Sequence, residues 1–102
     1  IHVWDVALAH VKAVQNFGQI VTEDNPYCDI NIGSGEGTTV LELVSAFEEV
    51  AGKKIEILRQ PPRPGDVSGA YTNTDKAKSL LGWEPRFSLE QGIADFLKWV
   101  RK

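Results

Sequence analysis

The sequence contains no methionine and only one cysteine, Cys28, among its 102 residues. A lone thiol excludes an internal disulfide and any metal cage built from cysteines alone, and it suits a reducing compartment such as the cytoplasm. With no methionine, and with an opening Ile1-His2-Val3-Trp4 that reads as the inside of a strand, the chain is expected to be a piece of something longer. No apolar run approaches the roughly 20 residues of a bilayer span, and no signal-peptide pattern opens the chain. Positive charge is in short supply: 11 basic residues face 14 acidic ones, for a formal net charge of -3. That sign disfavours nucleic acid and anionic membrane surfaces as partners. Internal repeats and low-complexity tracts are absent as well. What is present, 42% hydrophobic and 25% charged residues, is enough for a single domain with one hydrophobic core.

Along the chain, strand-like and helix-like patterns alternate. After the apolar run Ile1 to Trp4, Asp5 is a candidate helix cap. Val6, Ala7, Val11, Val14 and Phe17 fall on one stripe of a helix expected to end before Gly18. Cys28-Asp29-Ile30-Asn31-Ile32 alternates at period two and reads as a strand. Thr39 stands three residues before Glu42, the spacing of a capping box, and opens a helix bearing Val40, Leu43, Val44, Phe47, Val50 and Ala51. Gly52 suits its C-terminal end. Ile55 to Leu58 is a third strand candidate, and Ser68 to Thr72 a brief extended one. Asn73 or Thr74 caps a short helix ending at Gly82. Ser88 and Gln91 repeat the capping spacing before a last helix with Leu89, Ile93, Phe96, Leu97 and Val100 on its apolar stripe. This order predicts an α/β class with three to four helices and a few short strands.

The glycine cluster Gly33-Ser34-Gly35-Glu36-Gly37 follows a strand pattern and opens a helix, the setting in which backbone N–H groups cradle phosphate. Its spacing does not fit. A G-x-G-x-x-G counted from Gly33 would need glycine where Thr38 stands, and counted from Gly35 where Val40 stands. A tight strand-to-helix turn is the better reading. His2 and His10 have no third metal ligand at plausible spacing, and Cys28 reads as a small, partly buried core thiol. Glu48 and Glu49 fall on the solvated side of their helix. The loop Arg63-Pro64-Gly65-Asp66 is different in kind. A guanidinium grips phosphate in two places, a carboxylate accepts from vicinal hydroxyls, and the Pro-Gly link restricts how far the two charges wander. The pair suits a phosphosugar; an internal Arg–Asp ion pair that stiffens the loop explains the same spacing equally well.

Four strings, in order, carry a resemblance: Ile1-His2-Val3-Trp4-Asp5-Val6-Ala7-Leu8-Ala9-His10, Asn31-Ile32-Gly33-Ser34-Gly35, Pro62-Arg63-Pro64-Gly65-Asp66, and Leu81-Gly82-Trp83-Glu84-Pro85. Together they look like the C-terminal portion of a UDP-glucose 4-epimerase, a family of the extended short-chain dehydrogenase/reductases with a Rossmann-type fold. The resemblance implies that residues 1–102 are a single C-terminal substrate-binding domain, and that an N-terminal domain outside them binds NAD. It implies interconversion of UDP-glucose and UDP-galactose through a transient 4-keto sugar, a UDP-hexose substrate, a homodimeric parent and a cytoplasmic location. By position, Arg63 resembles the family's diphosphate-binding arginine and Asp66 the carboxylate that holds the ribose hydroxyls. Ala70 matches a position that borders the hexose, where a small side chain leaves room for an N-acetyl group. The family's Y-x-x-x-K base is missing, since Tyr27 is followed four residues on by Asn31 and Tyr71 by Asp75. The chain alone is therefore expected to lack catalytic and cofactor-binding residues and to be inactive. Two other readings remain open: another nucleotide-sugar dehydratase or reductase of the same superfamily, and a stand-alone binding module without catalysis.

Overall fold

The computed structural model describes all of residues 1–102 as five helices joined by extended and looping segments. Helix α1 spans Val3–Gln15, the single turn α2 Phe17–Ile20, α3 Val40–Ala51, α4 Asp75–Leu81 and α5 Leu89–Val100.

Helix α1 begins earlier than its sequence suggests. His2, with extended backbone, is the N-cap, and its Nδ1 accepts the Trp4 N–H at 3.0 Å. An imidazole nitrogen thus does what Asp5 was expected to do, so the helix starts within the run read as a strand. It ends at Asn16, whose amide donates to the Lys12 carbonyl at 2.8 Å. Gly18 does not stop it; α2 runs through that residue. Helix α3 follows its sequence signals closely. The Glu42 N–H donates to Thr39 Oγ1 at 3.1 Å, the Thr39 N–H donates to Glu42 Oε2 at 2.7 Å, and Gly52 closes the helix with φ 69°. Ser88 Oγ accepts the Gln91 N–H at 3.1 Å at the start of α5, and Gly82 ends α4 with φ 59°.

No strand forms at Ile1–Trp4, Cys28–Ile32, Ile55–Leu58 or Ser68–Thr72, which corrects the expectation of a few short strands. Period two survives at 28–32: Cys28, Ile30 and Ile32 are half-buried while Asp29 and Asn31 are exposed. A strand also needs a neighbour whose backbone pairs with it. None of the 48 backbone hydrogen bonds joins two extended segments, because all are helical or local.

Packing gathers the helices into two pairs, α1 on α4 and α3 on α5. The core holds Ala9, Ala77, Leu81 and Trp83, with Ala13, Ile20, Ile30 and Ile32 against it. Asp5 joins the two halves from complete burial. Its carboxylate accepts the backbone N–H groups of Arg86 and Phe87 at 3.0 and 3.1 Å, and its carbonyl accepts Trp83 Nε1–H at 2.8 Å. The connector between α4 and α5 is thereby fixed to the first turn of α1. Only 9 of the 102 residues are buried, and the radius of gyration is 17.3 Å. A compact domain of this length has about 13 Å. No helix is long and apolar enough to cross a membrane.

Candidate functional site

Pro64 fixes φ near −65° and Gly65 adopts φ 87°, so a turn with positive φ at its third residue only, the type II form, is the one this dipeptide admits. The Asp66 N–H donates to the Arg63 carbonyl at 3.0 Å and closes it. The Asp66 side chain then folds back: Oδ2 accepts the Arg63 N–H at 2.8 Å, and Oδ1 lies 3.4 Å from Arg63 Nη2. The two charged groups therefore share one side of the turn. They also form the internal ion pair that the spacing allowed. Arg63 is 86% exposed and Asp66 42%, and a pair so open to water contributes about 0 to 1 kcal/mol. An anion or a diol that engages either charge has little to displace.

Ala70 is exposed four residues beyond Asp66, and every residue from 52 to 71 is exposed with it. The loop is held at its far end. A Cβ built on Gly33 would stand 2.8 Å from the Cβ of Thr72 and 2.9 Å from its Oγ1. One built on Gly35 would reach Thr74 Oγ1 at 3.4 Å, and one on Gly37 the Tyr71 ring at 3.5 Å. The three glycines thus let the 71–74 segment lie against the 33–37 turn.

The same turn does not cradle phosphate. Glu42 Oε2 occupies the N-terminus of α3, taking the Thr39 N–H at 2.7 Å and the Thr39 hydroxyl at 2.9 Å. The backbone N–H of Thr39, and then its hydroxyl, hold the Glu42 carboxyl below the usual carboxylate range. An anion arriving there would face a fixed negative charge.

A groove of about 1090 Å³ runs between the first turn of α1, α3 and α5, lined by Trp4, Phe47, Phe87, Phe96 and Trp99 among others. Arg63, Asp66 and Ala70 are not part of it. At its edge His2 stacks on Phe87 with ring centroids 4.4 Å apart and places Nε2 3.2 Å from Asp95 Oδ2. The side chain of Gln91, more than His2 and Lys98, holds the Asp95 carboxyl below its ordinary range. Since His2 Nδ1 already accepts from Trp4, the ring is committed to capping α1. His10 faces the Val6 carbonyl at 2.8 Å within its own helix. Sequence reasoning missed the clamp at Asp5, the His2–Asp95 contact and the fit of Gly33 to Thr72. All three join residues far apart in the chain, and no local spacing announces them.

The family model described as GDP-mannose 4,6 dehydratase matches residues 3–96. A protein of Oryza sativa subsp. japonica named UDP-glucose 4-epimerase 3 is 47% identical over 102 residues, covering 100% of this chain and 27% of its own length. UDP-glucose 4-epimerase GEPI42 of Cyamopsis tetragonoloba is 44% identical, covering 98% of this chain and 28% of its own. Among solved structures, UDP-glucose 4-epimerase from Bifidobacterium longum, in complex with NAD+ and UDP, superposes with a TM-score of 0.83 at 32% identity, covering 99% of this chain and 29% of that one. The chain thus spans less than a third of the length of these relatives. Its helices, with their unpaired extended segments, match part of a Rossmann-type α/β enzyme. Family model, relatives and superposed structure agree, and the chain belongs to the family that the GDP-mannose 4,6 dehydratase model describes, within the NAD-dependent epimerase/dehydratases of the extended short-chain dehydrogenase/reductases.

Proposed function

We propose that residues 1–102 are the C-terminal substrate-binding domain of a UDP-glucose 4-epimerase, with Arg63 engaging the diphosphate, Asp66 the ribose hydroxyls and Ala70 the border of the hexose. The observation that carries this reading is the Arg63–Asp66 turn, which turns a guanidinium and a carboxylate to one side and leaves both open to solvent. The names of the relatives and the NAD+- and UDP-bound state of the superposed enzyme support the same choice.

The parent protein interconverts UDP-glucose and UDP-galactose with bound NAD, which supplies reversible hydride transfer at the sugar's C4. The residues of this chain do not fit the cofactor: the glycine turn lacks the dinucleotide spacing, and Glu42 blocks the helix terminus behind it. NAD is held by an N-terminal Rossmann domain outside these residues, and the catalytic base belongs there too. What this chain does is bind and orient the nucleotide end of the substrate, so that binding energy remote from the reacting carbon holds the sugar in place. By the same resemblance the parent is a homodimer, and its location is cytoplasmic, in keeping with the free thiol of Cys28.

A stand-alone module is disfavoured by the surface. Trp4 is 64% exposed, Trp99 69% and Phe96 53%, and a chain with so open a radius leaves its apolar faces without cover of its own. A dehydratase of the same family is the second reading, because the matching family model carries that description. Product analysis with UDP-glucose separates the two: UDP-galactose supports the epimerase, and loss of water the dehydratase. Titrating UDP into the intact protein tests the site itself. Arg63→Ala is expected to weaken binding about tenfold or more, the scale of a charge-assisted contact to phosphate. Indistinguishable heats would remove Arg63 from the site.

A further inference from the structure

We propose that Gly33 is a positioning residue for substrate recognition: by having no Cβ it seats Thr72, and that seat sets where Ala70, Asp66 and Arg63 stand. The inference rests on the reading that those three residues contact the UDP-sugar.

Glycine at 33 is not explained by backbone conformation. The glycines with positive φ are Gly35, Gly52, Gly65 and Gly82, so the backbone at 33 accepts an L side chain. Space is what forbids one. A Cβ at Gly33 would sit 2.8 Å from the Thr72 Cβ, against an ordinary contact of 3.4 to 4 Å. The obstructing atom cannot swing aside, because Cβ is fixed to the Thr72 backbone and no rotamer moves it. Relief requires the main chain at Thr72 to retreat.

That retreat is transmitted in one direction. Downstream, Thr74 and Asp75 lead into α4, whose Ala77 and Leu81 are locked in the core. Upstream, residues 52 to 71 are all exposed; the Tyr71 ring beside Gly37 is their packed neighbour at this end, and the 63–70 stretch beyond it has no buried residue to oppose a shift. Ala70 is the second residue along that path, and the Arg63–Asp66 turn follows it. Misplacing a binding group by about 1 Å can cost up to a hundredfold. Gly35 against Thr74 and Gly37 against Tyr71 flank the close contact and keep the two segments in one alignment.

The test compares the intact protein with Gly33→Ala, Thr72→Gly, the double variant and Arg63→Ala. Three quantities are read: UDP affinity, the ratio of kcat/KM for UDP-glucose to that for UDP-N-acetylglucosamine, and amide hydrogen exchange across 63–72. Gly33→Ala is expected to weaken UDP about tenfold, to change the substrate ratio and to accelerate exchange in that segment, with α5 unaffected. Thr72→Gly removes the obstructing Cβ, so the double variant is expected to regain most of what Gly33→Ala loses. If Gly33→Ala alone does not fold, recovery in the double variant supports the proposal and continued unfolding overturns it. Loss of UDP binding in Arg63→Ala with no change in Gly33→Ala overturns the positioning role and leaves the UDP site standing. If Arg63→Ala leaves UDP binding unchanged, the site reading fails instead. Exchange then decides the seat: acceleration reversed by Thr72→Gly supports it, and unchanged exchange overturns it.

Discussion

The carboxylate of Asp5, fully buried in the first turn of α1, accepts the consecutive backbone N–H groups of Arg86 and Phe87 from the far end of the chain. Two donors on one carboxylate satisfy a buried charge without a cation, and they fix the angle at which α5 leaves the connector. Asp5→Ala strands both donors and is expected to destabilise the protein by about 3 kcal/mol, with Asp5→Asn losing about half of that, since an amide offers one acceptor. Urea unfolding followed by circular dichroism measures both. A loss under about 0.5 kcal/mol for the alanine variant would show the clamp to be incidental.

Asp95 predicts a dependence on acid. Gln91 first, then His2 and Lys98, hold its carboxyl below the ordinary value. The folded state therefore binds that proton less readily than the unfolded chain does. Stability from these contacts is complete above about pH 4, the unfolded aspartate range, and is lost as pH falls further through the depressed folded value. Asp95→Asn is expected to be less stable than the wild type at neutral pH, and the gap is expected to close below about pH 4. Thermal melts of the two proteins from neutral to acid pH check this; a gap that persists unchanged in acid would exclude the carboxylate as its source.

Ala70 predicts substrate breadth. With only a methyl group at the border of the proposed hexose site, the intact enzyme is expected to take UDP-N-acetylglucosamine as well as UDP-glucose. Ala70→Tyr is expected to lower kcat/KM for the acetylated sugar about tenfold or more while sparing UDP-glucose, because a filled pocket rejects the larger group by sterics. Equal losses on both substrates, measured by coupled assay, would rule out a steric border at this position.

The helix termini were legible because their signals are local. Thr39 and Glu42 lie one turn apart, and so do Ser88 and Gln91; wherever those residues begin a helix, the caps form with them. The same holds for Gly52 and Gly82, whose positive φ closes α3 and α4. That the loop at 63–66 is stiff was legible too, since its prolines cannot sit inside a helix or a central strand, whereas the type II form of the turn rests on the φ of 87° that Gly65 adopts. His2 was not, because an imidazole that caps a helix looks in sequence like any other histidine, and its commitment depends on Phe87 and Asp95 at the other end of the chain.

Sequence by itself determined that most of α1, α3, α4 and α5 is helical, that α3 and α4 stop at Gly52 and Gly82, and that a cation and an anion share a rigid turn. These follow from steric limits on φ and from hydrogen bonds spanning a few residues. Tertiary structure alone decided that Asp5 clamps rather than caps, that the extended segments remain unpaired, and that Gly33 lies against Thr72. The physical reason is reach: each of those outcomes depends on what a distant part of the chain brings to within about 3 Å, and no local pattern encodes that distance.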